Sequence, residues 1–103
     1  MAAKNKTDIS ETQPARNEEI AAWRVLQGQA VVVDLREAMF HLLNPVATRI
    51  WELIDGAATV REIIYTLTAE FVAPPDQVRK DCQEFINQMA ERKLILLGGG
   101  KPQ

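Results

Sequence analysis

LNPVATRIWELIDG, residues 43 to 56, is the stretch on which the fold of this chain turns. Its Asn44-Pro45 step closes an extended segment and opens a helix, because proline presets a helical φ and lacks only an N–H that the first turn leaves unpaired anyway. Val46, Ile50, Leu53 and Ile54 then follow the i, i+4, i+7, i+8 spacing of one buried helix face, and Asp55-Gly56 supplies a stop where glycine turns left-handed. Sheet-like sequence lies before this stretch and helical sequence after it, so it is a joint between two halves.

Upstream of the joint, short β-prone runs alternate with turn-sized gaps. Ala22 to Leu26 places Trp23 and Val25 on one face and Arg24 on the other, and Gln27-Gly28-Gln29 makes the turn. Ala30 to Leu35 is a second strand, Arg36-Glu37-Ala38 a tight connection, and Met39 to Leu43 a third strand. Gaps this short favour hairpins, so an antiparallel meander with the second strand in the centre is expected. The run Val31-Val32-Val33 suits that central place. The third strand, Met39-Phe40-His41-Leu42-Leu43, is apolar for an edge and carries neither proline nor lysine to protect it.

Downstream, Thr59 and Glu62 form a capping-box pair that opens a second helix, whose stripe is Val60, Ile63, Ile64, Leu67 and Phe71. Pro74-Pro75 ends that region and starts a third helix, from about Pro75 to Arg92, with Val78, Cys82, Phe85, Ile86 and Met89 buried. Three strands followed by three amphipathic helices predict an α+β domain with the helices packed on one face of a small sheet. The domain is expected over residues 20–97. Residues 1–19, where Ile9 is the only large aliphatic after Met1, read as a disordered tail, and residues 98–103 as a flexible one.

Composition removes several function classes. The chain has 103 residues, 47% hydrophobic and 25% charged, which is ordinary for one small domain. No run approaches the ~18 apolar residues of a membrane span, and the amino terminus has no apolar segment suited to a secretory signal, so a cytoplasmic protein with no membrane partner is expected. The segment from Pro45 to Leu97 holds six basic and eight acidic residues, leaving no excess to neutralise phosphates, so nucleic acid is not an expected partner. Cys82 is the single cysteine and lies on an apolar stripe, where a buried small hydrophobe is the usual reading. His41 is the single histidine and has no nucleophile or second ligand near it in sequence. No phosphate loop, dinucleotide fingerprint, nucleophile elbow or metal-binding spacing is present, so neither catalysis nor a cofactor nor a metal site is expected.

The string LN-P-x-A-x-x-IW-x-L-x-DG, followed by T-V-x-E-I and by D-x-x-x-F-I-x-x-M from Asp81 to Met89, resembles the PqqD family of small peptide-binding proteins, also called RiPP recognition elements. The resemblance covers roughly Ala22 to Leu97. It implies a winged helix-turn-helix-like domain that is not an enzyme: the leader segment of a ribosomally made precursor peptide is held as an added antiparallel strand on the third strand. A modifying enzyme, often a radical-SAM protein, then acts on the rest of the peptide. Carried onto this sequence, the pairing backbones are those of Ala38, Met39, Phe40, His41 and Leu42, and the cleft wall is Gln77, Lys80, Asp81, Glu84, Phe85 and Gln88. Asp81 reads equally as a surface residue partnered by a neighbour such as Gln77. Ala38 stands in the turn where such domains commonly have glycine.

The residues support the same idea independently, since unpaired N–H and C=O groups on an edge strand are a template for an incoming extended segment. Proline at His41 or Leu42 is expected to weaken such binding. Two rivals come from other classes. A winged-helix DNA-binding regulator shares the helical topology, but Arg79, Lys80, Arg92 and Lys93 on and after the third helix are cancelled by Asp76, Asp81, Glu84 and Glu91. A structural module that dimerises through the same edge is the other.

Overall fold

In the computed structural model, which describes residues 9–98, Asn44 caps the joint helix: its side-chain oxygen accepts the Ala47 N–H at 2.8 Å, and Pro45 begins the first turn. The elements in order are β1 (Ala15–Arg16), β2 (Ala21–Leu26), β3 (Gln29–Asp34), β4 (Met39–Leu42), α1 (Pro45–Leu53), α2 (Val60–Glu70), α3 (Pro75–Glu91) and β5 (Ile95–Leu96). The three strands expected before the joint are therefore β2, β3 and β4. They form an antiparallel sheet in the order β2-β3-β4, with β3 in the centre. The α+β architecture read from the sequence is the one observed.

Local chemistry accounts for these elements. Gln27 and Gly28 have φ of 54° and 82°, the two left-handed residues of a tight hairpin turn, so Gln29 is paired with Leu26 and does not belong to the turn. The second hairpin is longer by one residue than the sequence predicts: Leu35 joins Arg36, Glu37 and Ala38 in the loop, and Leu43 lies just beyond β4. Thr59 and Glu62 complete the capping box at the start of α2. Gly56 adopts φ of 85° at the end of the joint, where its N–H donates to the Pro14 carbonyl at 2.9 Å.

Ile50, Trp51, Ile54, Ile63, Leu67 and Ile86 are fully buried between sheet and helices, and each such side chain contributes roughly 1.5–3 kcal/mol of transfer free energy. Trp51 meets Trp23 edge to face at 6.1 Å, although its indole N–H has no hydrogen-bond partner among the described residues, so packing alone holds the ring. Thr48 was not legible as a core position. It is buried because its hydroxyl accepts the Ala30 N–H at 2.8 Å and donates to the Leu43 carbonyl at 3.3 Å, stitching α1 to β3 and to the end of β4.

The expected disordered tail over residues 1–19 is corrected for residues 9–19, which form a strap across the helix ends. Ile9 and Pro14 are buried, and β1 pairs antiparallel with β5 as a second small sheet. The carbonyls of Ser10 and Thr12 accept the Arg61 and Val60 N–H groups, each at 3.0 Å, satisfying amides that the first turn of α2 leaves orphaned. Arg16 does the converse for α1, donating to the carbonyls of Trp51 at 3.0 Å and Ile54 at 2.8 Å. A count of apolar residues misses this segment because hydrogen bonds to helix termini do much of the work that apolar area does elsewhere. Residues 1–8 and 99–103 of the two expected tails lie outside the described residues.

Candidate functional site

β4 is the terminal strand of its sheet, paired with β3 on one side only. Among the described residues no element pairs with its other side. Its register sets Asp34 opposite Met39, Val33 opposite Phe40, Val32 opposite His41 and Val31 opposite Leu42. The Leu43 N–H donates to the Ala30 carbonyl at 2.8 Å, and in an antiparallel ladder bonded and non-bonded pairs alternate. His41 and Met39 therefore direct their backbone groups inward to β3, while the N–H and C=O of Phe40 and Leu42 point to the vacant side. This corrects the expectation that proline at either His41 or Leu42 removes an edge donor: only Leu42 and Phe40 donate outward.

Side chains alternate with the backbone. Met39 and His41 lie on the helix-facing side with Val32 and Asp34, whereas Phe40 and Leu42 project from the opposite face, 71% and 67% exposed. Ala38, just before the strand, has φ of 56°, a left-handed conformation that an alanine adopts only under local constraint. Its N–H donates to the Asp34 carbonyl at 2.7 Å. Asp34 is buried and organises the whole turn: its carboxylate accepts the Arg36 guanidinium at 3.2 and 3.3 Å and the Arg36 backbone N–H at 2.9 Å. The Arg36 side chain, first among these, holds the Asp34 carboxyl below the usual carboxylate range. Arg36 also donates to the Arg92 carbonyl at 2.7 Å, which pins the turn to the end of α3. This Asp34-Arg36 clamp was missed in the sequence, where the D-x-R spacing before β4 is its only trace.

On α3 the 100° step per residue separates the expected cleft residues. Arg79 lines a depression shared with Ile64, Tyr65 and Thr68, which identifies the flank next to α2. Phe85, Asp81, Gln88 and Gln77 occupy the opposite flank, Phe85 half-buried against the core and the other three exposed. Gln77 donates to the Asp81 carboxylate at 2.8 Å. Glu84, seven residues from Gln77, lies about 20° from it around the helix and continues this flank outward, whereas Lys80 stands further round. Lys80, nearly opposite the buried stripe, and Glu84 also line an outward polar depression with Asp76, Arg79, Gln83 and Asn87. Cys82 is fully buried, and desolvation pushes its thiol up to about 12, so it is a protonated packing group at neutral pH. Among the described residues no three His, Cys, Asp or Glu side chains gather as a metal-binding group, and no helix is long and apolar enough to cross a membrane.

Fold and edge together define a helix-backed antiparallel sheet with one vacant, apolar margin, a class of domain able to extend its sheet with a further strand. The family model for coenzyme PQQ synthesis protein D (PqqD) matches residues 29–95, and the chain belongs to the PqqD family. A comparison with curated proteins finds no match. Among solved structures, TbiB1 in complex with the TbiA(beta) leader peptide superposes with a TM-score of 0.71 at 20% identity, over 86% of this chain and 99% of that one. Lasso peptide synthetase B1 complexed with the leader peptide gives a TM-score of 0.71 at 15% identity, over 82% and 98% of the two chains. At such identities the likeness establishes a shared fold.

Proposed function

We propose that this chain is a non-catalytic carrier that holds the leader segment of a ribosomally synthesised precursor peptide as an added antiparallel strand on β4 and presents the remainder to a modifying enzyme. The observation that carries the reading is the vacant margin of β4, where Phe40 and Leu42 turn a pair of N–H and C=O groups outward beside an exposed Met39. Membership of the PqqD family supports it, as do the two leader-peptide complexes that share the fold. The proposed groove has the backbone of Ala38 to Leu42 as its floor edge and Phe85, Asp81, Gln88 and Gln77 as its wall. Glu84, about 20° from Gln77 around α3, stands on its outer rim, and Lys80 lies outside it. A ribosomal precursor places the work in the cytoplasm, and a radical-SAM protein is one candidate for the enzyme.

The charge arrangement on α3 favours this over DNA recognition. Arg79 is paired with Asp76 at 3.0 Å, and Asp81 stands exposed with Gln77, so α3 presents no basic face to a phosphate backbone. An amide-shift titration with the leader peptide encoded beside this chain tests the reading. Shifts gathered on β4 and the flank of α3 turned from α2 are expected; shifts confined to the outward face of α3, or none at all, overturn it. In a mobility-shift assay at physiological salt, no binding to duplex DNA is expected.

A further inference from the structure

The face of the sheet turned away from the helices is apolar and uncovered among the described residues. Cross-strand neighbours set Phe40 beside Val33 and Leu42 beside Val31, while Arg24 on β2 lies opposite Val31 and Leu26 ends the strand, 54% exposed. A shallow depression runs over Arg24, Leu26, Val31 and Val33. Contiguous apolar surface of this kind, on the outside of a small domain, marks a contact site. Leader binding does not use it, since the proposed groove lies on the opposite side of the sheet.

Charge decides the occupant. The Arg24 side chain is exposed and has no hydrogen bond or ion pair among the described residues, and the face contains no carboxylate of its own. A second copy of this chain laid on it would bury Arg24 without a counter-charge, which is costly. The chain's segments outside the described residues, MAAKNKTD and GGKPQ, have no large apolar side chain except Met1 to cover it. The fitting occupant is a different protein with an apolar surface and a carboxylate placed opposite Arg24. Continuity identifies that protein. Phe40 and Leu42 belong both to this face and to the strand that would receive the leader, so an added strand extends the face with its own alternate side chains.

We propose that the outer face of β2, β3 and β4, with Arg24 as its charged anchor, docks the enzyme that modifies the held peptide, and that the enzyme contacts carrier and leader side by side. This rests on the carrier reading. It has a thermodynamic corollary: the leader raises the affinity of carrier for enzyme, and the enzyme raises that of carrier for leader by the same factor.

The test uses the full chain, the purified modifying enzyme encoded beside it, and the synthetic leader, with Arg24→Glu and Leu26→Ser as exposed substitutions that leave the core intact. Calorimetry is expected to show enzyme affinity reduced by about tenfold in Arg24→Glu, with Arg24→Lys near wild type and leader affinity unchanged in all three. Enzyme affinity unchanged in both Arg24→Glu and Leu26→Ser overturns the docking proposal while leaving the carrier reading standing. Wild-type enzyme binding that resists leader addition overturns the side-by-side contact. Sedimentation showing a wild-type dimer that Arg24→Glu dissociates assigns the face to a second copy and also overturns it. Absence of leader binding by the wild type is a separate result, which removes the carrier reading itself.

Discussion

The three-stranded sheet has two margins, β2 and β4, with the same inventory of outward backbone groups and opposite surroundings. Ladder alternation turns Trp23 and Val25 outward on β2 as it turns Phe40 and Leu42 outward on β4. Beside β2, however, the strap has closed in: the Arg16 guanidinium lies 4.9 Å above the Trp23 ring, and the Trp23 indole donates to Glu18 at 3.2 Å. Glu18 in turn pairs with Arg16 at 2.9 Å, and that hydrogen bond, ahead of the one from Trp23, lowers its carboxyl pKa. Nothing among the described residues does this for β4, where Met39 and Phe40 stand open. An edge becomes a binding site when its flank is left empty, because unpaired main-chain groups are common to every edge strand.

The largest expected effect comes from proline scanning of the two margins. Leu42→Pro removes an outward donor and is expected to weaken leader binding by about tenfold, whereas Val25→Pro on the other margin leaves leader affinity unchanged. His41→Pro instead breaks an inward bond to β3 and lowers thermal stability. Calorimetry with the leader peptide, alongside a melting curve for each variant, separates the three. Equal losses of leader affinity in Leu42→Pro and Val25→Pro would erase the distinction drawn here.

Next in size is Arg16→Ala, which uncaps the end of α1 and removes the cation over Trp23. It is expected to cost about 2 kcal/mol in urea denaturation without changing leader affinity. A loss of affinity at unchanged stability would mean that the strap acts on β4 as well. Ala38→Gly relieves the left-handed alanine before β4 and is expected to stabilise the domain by about 0.5–1 kcal/mol.

The smallest effect is a pH dependence. The folded pKa of Asp34 lies below its unfolded value, so its contribution is fully present above the ordinary carboxylate range and is lost as pH falls through the lowered folded pKa. Melting temperature followed through acid pH is expected to fall less steeply in Asp34→Asn than in wild type, since the variant has already lost the clamp.

Local signals were legible where the chain repeats a period or ends an element. Asn44-Pro45, the Thr59-Glu62 box, the glycines at 28 and 56 and the helix stripes all commit a segment through its own neighbours, and the fold follows. The strap was hidden because its bonds span long stretches of sequence: Arg16 reaches Ile54, and the Asn17 side chain reaches the Lys93 carbonyl at 2.9 Å. Thr48 was hidden for a similar reason, as nothing in an i, i+4 pattern marks a hydroxyl that bridges two strands. On α3, Asp81, Phe85, Gln88, Gln77 and, at its outer limit, Glu84 share the side turned from α2, but Lys80 does not. A residue such as Lys80, nearly opposite a buried stripe, looks acceptable in a linear motif and is separated only by the helix itself.

The clamp that ties Arg36 to the Arg92 carbonyl also gives the domain a direction. β4 runs away from that clamp toward Asn44, so a segment lying antiparallel to it on the proposed reading enters near Asn44 and leaves beside Arg36. The stretch of precursor awaiting chemistry would thus always emerge at the clamped end, close to the last turn of α3. A carrier built in this way hands over its cargo with a fixed polarity, tail first from one corner, and an enzyme seated on the outer face would find the reactive stretch arriving from that same corner in every cycle.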